Sequence, residues 1–345
     1  MHATVGLIGA GPIGLETAIE LKKNGIDYLH FEKGQIASTI MRYPPGTLYF
    51  SSPERIAIAG IPISNVGQTK TTKEQYIAYL RSVAETFDLQ INMYEPVQRI
   101  GGNSTSGFEI HTTTAFGSVQ HVYHVAHVVL AVGDMEFPRR LQIPGEDLPH
   151  VTHTMQDPHV YFGCQVLIVG GKNSAAEAAL RCFRVGAHVT VSYRKDQFSE
   201  KSIKYWIYPE LTGLIRRGAI KAYFSTQPSE ITSTHVLLSS VDRAAEPIQV
   251  PSDFVLLLTG YQPDQSLLKQ LGVDLAGEQR APQCSSKTME TNVPGVFVAG
   301  TAAAGEQLRF RLFIENCHIH TKRIAHALSG QEPPMDENPW DLPEN

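Results

Sequence analysis

Gly9-Ala10-Gly11-Pro12-Ile13-Gly14 is the stretch on which the reading of this chain turns. It follows a short apolar run, Val5 to Ile8, and opens a segment with Leu15, Ala18, Ile19 and Leu21 on one side and a stop at Asn24-Gly25. Strand, tight turn and helix come in the order a dinucleotide-binding unit requires. Pro12 suits the first helical turn, where its missing N–H costs little. Glycine fills all three fingerprint positions: Gly9 for the turn, Gly11 for close approach of a pyrophosphate, Gly14 for contact between helix and strand. The helix start adds backbone N–H donors and the positive end of a dipole. After the next strand, Tyr28 to Phe31, stands Glu32, whose carboxylate suits ribose hydroxyls and repels a 2′-phosphate. The site therefore suits FAD or NAD rather than NADP. A glycine-rich structural turn followed by a surface glutamate is the alternative, and the flanking pattern disfavours it.

The turn has an echo. Gly170-Gly171-Lys172-Asn173-Ser174-Ala175 follows the run Val166 to Val169 and opens a second helical segment that ends at Val185-Gly186. Gly170 keeps the first fingerprint position and Ala175 the third, but Lys172 takes the second. A side chain there hinders the closest backbone approach, while its ammonium can meet a phosphate directly. The following strand, Val189 to Tyr193, ends at Arg194 and Lys195 instead of an acid. Cations at that edge suit a 2′-phosphate, so NADPH is expected over NADH; a basic surface turn that accepts NADH is the alternative. With the return segment Gly295-Val296-Phe297-Val298-Ala299-Gly300 behind them, the two turns suggest two nucleotides held together. That arrangement suits hydride transfer from a nicotinamide to a flavin.

The expected fold class is α/β, with two Rossmann-like dinucleotide-binding domains and the second inserted into the first. Residues 1–155 and 285–345 would form the first domain and residues 156–284 the second, with crossings near 151–160 and 282–290 that could act as a hinge. From Ser38 to Pro62 the chain is irregular, and so long a loop is usually functional, which puts it over the cofactor. A helix follows Thr72, and the period-two runs Phe108 to Thr114 and Val119 to Val125 read as a small antiparallel meander before a buried strand, Val128 to Val132. A helical region around Ser202 to Arg217, a strand Phe254 to Leu258 and a helix from about Phe313 to Leu328 complete the reading.

Bulk composition narrows the function classes. At 345 residues, 42% apolar and 18% charged, the chain can bury two cores and looks like a globular enzyme. A net charge of -5 argues against a protein that wraps nucleic acid. No window approaches a membrane span, and the N-terminus enters a strand without a basic leader, so no secretory signal is expected. The four cysteines, Cys164, Cys182, Cys284 and Cys317, form no Cys-x-x-Cys pair, which fits a reduced cytoplasmic protein. His121, His124 and His127 have metal-like spacing, but in a strand the middle one faces away from the others; His318 and His320 diverge on a helix. No metal site is expected. His153 reads as a polar linker histidine.

With both turns placed, the chain resembles the bacillithiol disulfide reductase-like flavoproteins of the thioredoxin reductase superfamily over nearly its whole length. The segments that carry this are Gly11 to Leu15, Tyr49-Phe50-Ser51-Ser52, Ile143 to Leu148, Gly170 to Ser174, Ser202-Ile203-Lys204, Thr259 to Asp264, Met289 to Val293 and Phe313-Ile314-Glu315-Asn316. The resemblance implies FAD on the first domain, NADPH as donor on the second, and a low-molecular-weight thiol disulfide as acceptor. It also implies cofactor contacts at Lys33, Ser52, Gly133, Gly300 and Thr301, and nucleotide contacts at Gly171, Asn173, Ser174 and Lys204. Homodimers are common in this fold, so a homo-oligomer is expected.

Two departures bear on the chemistry. Thioredoxin reductases carry a redox Cys-x-x-Cys where this chain has Val151-Thr152-His153-Thr154-Met155, so relay through such a pair is excluded. In the bacillithiol enzymes a cysteine precedes the third glycine of the first turn; here that residue is Ile13. Either the flavin passes electrons without that thiol, or another cysteine substitutes, with Cys317 the candidate, or the acceptor differs. A ferredoxin or flavodoxin–NADP reductase shares the architecture and also lacks the pair, which would make the partner a small redox protein. A non-catalytic nucleotide-binding redox sensor is the third reading. No catalytic acid can be named from the sequence.

Overall fold

A computed structural model describes residues 2–242, 245–307 and 311–334. The described residues fall into two compact units: one contains those up to Arg42, Gly46–Phe137 and those from Tyr261 on, the other those of Tyr43–Pro45 and Pro138–Gly260.

The first unit is built on a mixed sheet with strand order Tyr28–Phe31, His2–Ile8, Gln120–Leu130, Gly107–Thr113, Val97–Asn103, and with Val296–Val298 also paired to Gln120–Leu130. His2–Ile8 runs parallel to both of its neighbours, with Val5 opposite Tyr28 and Gly6 opposite Val128. Strands covered on both faces must be apolar throughout, and Val5 and Leu7 are fully buried. Gln120–Leu130 is one eleven-residue strand, not the two expected segments. Its first half pairs antiparallel with Gly107–Thr113 and is exposed on one face; its last residues, Val128 to Leu130, are buried between parallel partners. The change of surroundings within one strand produces the change of hydrophobic period that reads as two.

Helices Pro12–Lys23 and Ile314–Leu328 pack against one another. Lys73–Thr86 starts at a capping box: the Thr72 hydroxyl accepts from the Gln75 N–H at 3.2 Å and the Gln75 side chain accepts from the Thr72 N–H at 2.9 Å. The expected loop Ser38 to Pro62 holds two four-residue helices, Ser38–Met41 and Pro53–Ile56.

The second unit repeats the plan with a parallel sheet of order Lys221–Phe224, His188–Tyr193, Gln165–Val169, Phe254–Leu257, Val151–Thr152. Helix Asn173–Arg184 presents Ala175, Ala176, Ala178 and Ala179 to this core, small residues that let helix and sheet approach closely. The helical region expected around Ser202 to Arg217 resolves into a short 3₁₀ turn, Glu200–Ser202, and the helix Tyr208–Arg216. Thr226–Ile231, His235–Ser240 and Ile248–Pro251 form a separate antiparallel sheet.

Apart from Tyr43–Pro45, the chain passes between units at 137/138 and 260/261, whereas the sequence suggests crossings near 151–160 and 282–290. Val151–Thr152 hydrogen-bonds into the second sheet, Val151 opposite Val255. After Gly260 the chain is already back in the first unit, where the Gln270 side chain accepts from the Ile100 N–H and donates to the Gln98 carbonyl, at 3.3 Å each. The crossing segments run side by side: the Glu136 N–H donates to Gln262 O at 3.1 Å and the Arg139 N–H to Gly260 O at 2.9 Å.

Candidate nucleotide sites and the electron-transfer centre

In the first unit, strands His2–Ile8, Tyr28–Phe31, Gln120–Leu130 and Val296–Val298 run parallel, so their carboxyl ends share one edge, where such sheets bind ligands. Gly9 through Gly14, Glu32, Gly133 and Gly300 all follow those ends. Gly9 has φ +104°, and a β-carbon there would lie 2.4 Å from the Ala131 carbonyl oxygen. One at Gly14 would lie 1.9 Å from the Gly9 oxygen. A β-carbon at Gly11 would meet nothing of the chain within 4 Å. Packing thus requires Gly9 and Gly14, while Gly11 leaves a bare patch of backbone at the mouth of a helix that begins at Pro12. That fits a dinucleotide phosphate.

Glu32 is only 5% exposed. Its carboxylate accepts from Ala10 N–H at 2.8 Å, Gly34 N–H at 2.9 Å and the Ser38 hydroxyl at 3.0 Å, which aims it at the turn. Beneath the turn lies His30, fully buried, with Nε2 2.9 Å from the Gly9 carbonyl. Burial pushes this imidazole down to about 4, so it is neutral at pH 7 and donates its Nε2 proton to that carbonyl. No local pattern in the sequence marks His30. Lys33 pairs with Glu136 at 2.5 Å, as does Arg42 at 3.3 Å, and Ser52 stands at the start of Pro53–Ile56.

The return segment closes on the turn. A β-carbon at Gly300 (φ +69°) would lie 3.2 Å from Cβ of Ile13, and one at Gly133 (φ +70°) 3.9 Å from the Thr301 hydroxyl. Asp134, unremarked in the sequence, accepts from the Gln307 amide at 2.9 Å and from the Thr301 hydroxyl, and burial pushes its carboxyl up. Its signal was a carboxylate directly after the glycine that ends a buried strand. Ile13 is 6% exposed and belongs to a core cluster with Val5, Leu7, Phe297 and Cys317. Cys317 is completely buried, and burial, with Asp134 and Glu16 adding to it, pushes its thiol far above the usual range. Such a group is a small core hydrophobe, not a nucleophile.

His318, next along the same helix, is tied through both ring nitrogens. Its Nδ1 lies 2.6 Å from Oε2 of Glu16, its Nε2 lies 3.0 Å from the Arg55 carbonyl, and the other Glu16 oxygen accepts from Ala59 N–H at 2.9 Å. Burial alone would lower this imidazole, but the Glu16 carboxylate outweighs it and holds the pKa above the usual value. With acceptors at both nitrogens, the imidazolium is the form that fits.

In the second unit Gly170 has φ +150°, and a β-carbon there would lie 2.5 Å from the Leu258 carbonyl oxygen. The Tyr193 ring lies against Gly171, where a β-carbon would come within 2.1 Å of it. Lys172 caps Asn173–Arg184; its ammonium is lowered by burial and by the neighbouring cations Arg139, Lys195 and Arg194. Arg139 is the member of this group that the sequence did not reveal. Ser174 is exposed on the first helical turn. Asn173 and Lys204 come together differently from expectation: the Asn173 side chain accepts from the Lys204 backbone N–H at 2.7 Å. The Lys204 ammonium pairs with Glu177 at 3.3 Å and sits 5.5 Å from the Trp206 ring.

The remaining candidates disperse. His153 lies in the second unit, 3.7 Å from Glu146. His121 pairs with Glu95 at 3.0 Å, His124 stacks on His2, and His127 meets Phe297, so the three do not converge. No group of three His, Cys, Asp or Glu side chains could hold a metal ion among the described residues. Cys182 is core, its thiol pushed up to about 12 by burial. Cys164 and Cys284 are half-buried. No helix among the described residues is long and apolar enough to cross a membrane.

Residues 7–300 match the pyridine nucleotide-disulphide oxidoreductase family, and the chain belongs to it. It is an FAD-dependent NAD(P)H oxidoreductase of that fold, without a Cys-x-x-Cys pair. Among particular relatives, it is 37% identical to the bacilliredoxin reductase of Bacillus subtilis (strain 168), over 94% of this chain and 97% of that one. The structure superposes on a bacillithiol disulfide reductase from Bacillus cereus with TM-score 0.90 and 35% identity, covering 96% and 99% of the two chains. A ferredoxin–NADP reductase of Ignicoccus hospitalis is more distant, 28% identical over 85% of this chain and 88% of its own.

Proposed function

We propose that this chain takes a hydride from NADPH at the second glycine turn, holds FAD at the first, and reduces a low-molecular-weight thiol disulfide, with bacillithiol disulfide as the substrate to test first. The net reaction is NADPH + H⁺ + RSSR → NADP⁺ + 2 RSH. The observation that carries the nucleotide assignment is the opposite charge of the two turns. Glu32 faces the first, whereas Arg194 and Lys195 end the strand beside the second. A 2′-phosphate is repelled by the one and attracted by the other. The acceptor rests on the thiol-disulfide relatives, which match more of the chain at higher identity than the ferredoxin reductase does.

Bound FAD would supply the two-electron relay between nicotinamide and disulfide. The chain's own residues bind and orient. Gly11 and the N–H groups at the start of Pro12–Lys23 would receive the FAD pyrophosphate, and Glu32 the adenosine ribose. Gly133, Gly300 and Thr301 would line the rest of the cofactor, with Asp134 holding the Thr301 hydroxyl. The N-terminus of Ile314–Leu328 supplies a positive partial charge that favours an electron-rich neighbour. Ile13 supplies no thiol and Cys317 is sealed in the core, so neither would place a protein thiol between the acceptor disulfide and the flavin. The setting proposed is a reducing cytoplasm, as a homo-oligomer.

The test is anaerobic mixing of the purified yellow protein with NADPH, followed by bacillithiol disulfide, ferredoxin or flavodoxin in parallel. Bleaching by NADPH and recovery of colour on the disulfide is the expected result. Recovery only on the protein acceptors would replace this reading with the ferredoxin or flavodoxin reductase. Arg194→Ala should raise KM for NADPH far more than for NADH; equal effects would undo the 2′-phosphate assignment.

A further inference from the structure

We propose that Arg139 is a phosphate-gripping residue of the second nucleotide site, acting on the pyrophosphate from the side opposite Arg194 and therefore serving NADPH and NADH alike. This rests on the reading of the second turn as a pyridine-nucleotide site.

Strand order supplies the geometry. Gln165–Val169, which leads into Gly170, lies between His188–Tyr193 and Phe254–Leu257, all three parallel, so their carboxyl ends share one edge. On one side the neighbouring strand runs into Arg194 and Lys195; on the other it runs into Leu258-Thr259-Gly260. Arg139 is fastened to that second side. Its N–H donates to Gly260 O at 2.9 Å and its carbonyl accepts from the Thr259 hydroxyl at 2.6 Å. Its Cδ and Nε lie 3.7 and 3.8 Å from where a Gly260 β-carbon would stand. The Leu258 carbonyl in turn abuts Gly170. In a unit of this kind the adenosine half of a dinucleotide lies toward the strand that carries Arg194, so the opposite side faces the pyrophosphate and the nicotinamide half.

Electrostatics agree. Of the charges that depress the Lys172 ammonium, Arg139 acts most strongly, ahead of Lys195 and Arg194. Cations from three separate segments thus crowd one glycine turn, an arrangement whose mutual repulsion an anion relieves. Arginine is suited to this because its fork can bind two phosphate oxygens at once. Gly260, against which the Arg139 side chain lies, has φ +101°.

The experiment is calorimetric titration of the flavin-loaded wild type, Arg139→Ala, Arg139→Gln and Arg194→Ala with NADP⁺, NAD⁺ and adenosine 2′-phosphate, none of which reduces the enzyme. Circular dichroism and retained flavin absorbance establish that each variant is folded. Arg139→Ala and Arg139→Gln should weaken NADP⁺ and NAD⁺ by a common factor, roughly ten- to hundredfold for a charge-assisted contact. Both should leave adenosine 2′-phosphate within about twofold of wild type. Arg194→Ala should weaken NADP⁺ and adenosine 2′-phosphate and spare NAD⁺. Folded Arg139 variants with unchanged affinity for NADP⁺ and NAD⁺, or with a loss confined to the ligands that carry a 2′-phosphate, would overturn the proposal while leaving the nucleotide site intact. A wild type that binds none of the three would overturn both.

Discussion

A methyl group at Gly11 would touch nothing of the chain within 4 Å, while one at Gly9 would strike the Ala131 carbonyl at 2.4 Å on a backbone with φ +104°. The two positions therefore separate folding from binding. Gly11→Ala should change apoprotein stability in urea by about 1 kcal/mol or less, the scale of an N-cap change, yet clearly weaken FAD uptake. Gly9→Ala should cost at least about 2 kcal/mol with or without FAD. Equal FAD affinity in Gly11→Ala and wild type would show that the bare backbone there does not face a phosphate. His30 makes a second prediction, with a definite sign. Its folded pKa is about 4 against 6.5 when exposed, so between those values the unfolded chain binds more protons. Above pH 6.5 the ring is neutral in both states and adds no penalty; as pH falls from 6.5 toward 4 stability is lost, to a total of about 3 kcal/mol. His30→Asn, which keeps a donor for the Gly9 carbonyl, should show a shallower loss of stability than wild type across that window. Parallel curves would mean that His30 titrates in the folded protein as it does in the unfolded chain.

The two glycine-turn helices and most strands are legible because their apolar periods and stop signals are local. What joins them is not. Glu16 and His318 are 302 positions apart and meet at 2.6 Å only because helices Pro12–Lys23 and Ile314–Leu328 pack together. No local pattern marks a histidine that will find a carboxylate, and on sequence spacing His318 reads only as diverging from His320. The pair also fastens Pro53–Ile56, through the Arg55 carbonyl, to the helix that carries Gly14. Because the folded pKa of His318 is raised, its contribution is complete below pH 6.5 and is lost as pH rises through the folded value. A double-mutant cycle with Glu16→Gln and His318→Asn should give a coupling of about 2 kcal/mol at pH 6, the range for partly buried charged contacts. The coupling should shrink as the pH is raised beyond 6.5. A coupling independent of pH would mean that the histidine is not the imidazolium there.

Insertion of one nucleotide unit into another makes the whole molecule divisible. Motif order revealed the insertion, since the second turn falls between the first turn and its return segment. The crossing points lay beyond it, because a two-residue strand such as Val151–Thr152 is assigned only by its partner, Val255 opposite Val151. At the observed boundary both ends of the inserted unit lie together, with Arg139 N–H bonded to Gly260 O at 2.9 Å, and so do the cut ends of the first unit, with Glu136 N–H bonded to Gln262 O at 3.1 Å. Each unit has its own buried cluster, around Ile168, Ala179 and Val191 in the second and around Val5, Leu7 and Val129 in the first. Chains whose ends already meet tolerate excision and closure. Residues 138–260 expressed alone should therefore fold as a colourless protein that binds NADP⁺. The chain with those residues replaced by a short glycine linker should retain FAD and its yellow colour, be bleached by dithionite, and resist NADPH. A yellow 138–260 fragment, or a linked remainder that NADPH still bleaches, would assign the nucleotides to the wrong units. A division at 155 and 284 instead should yield insoluble pieces, since it strips Val151–Thr152 from its sheet and removes Ser266–Gln270 from Val97–Asn103.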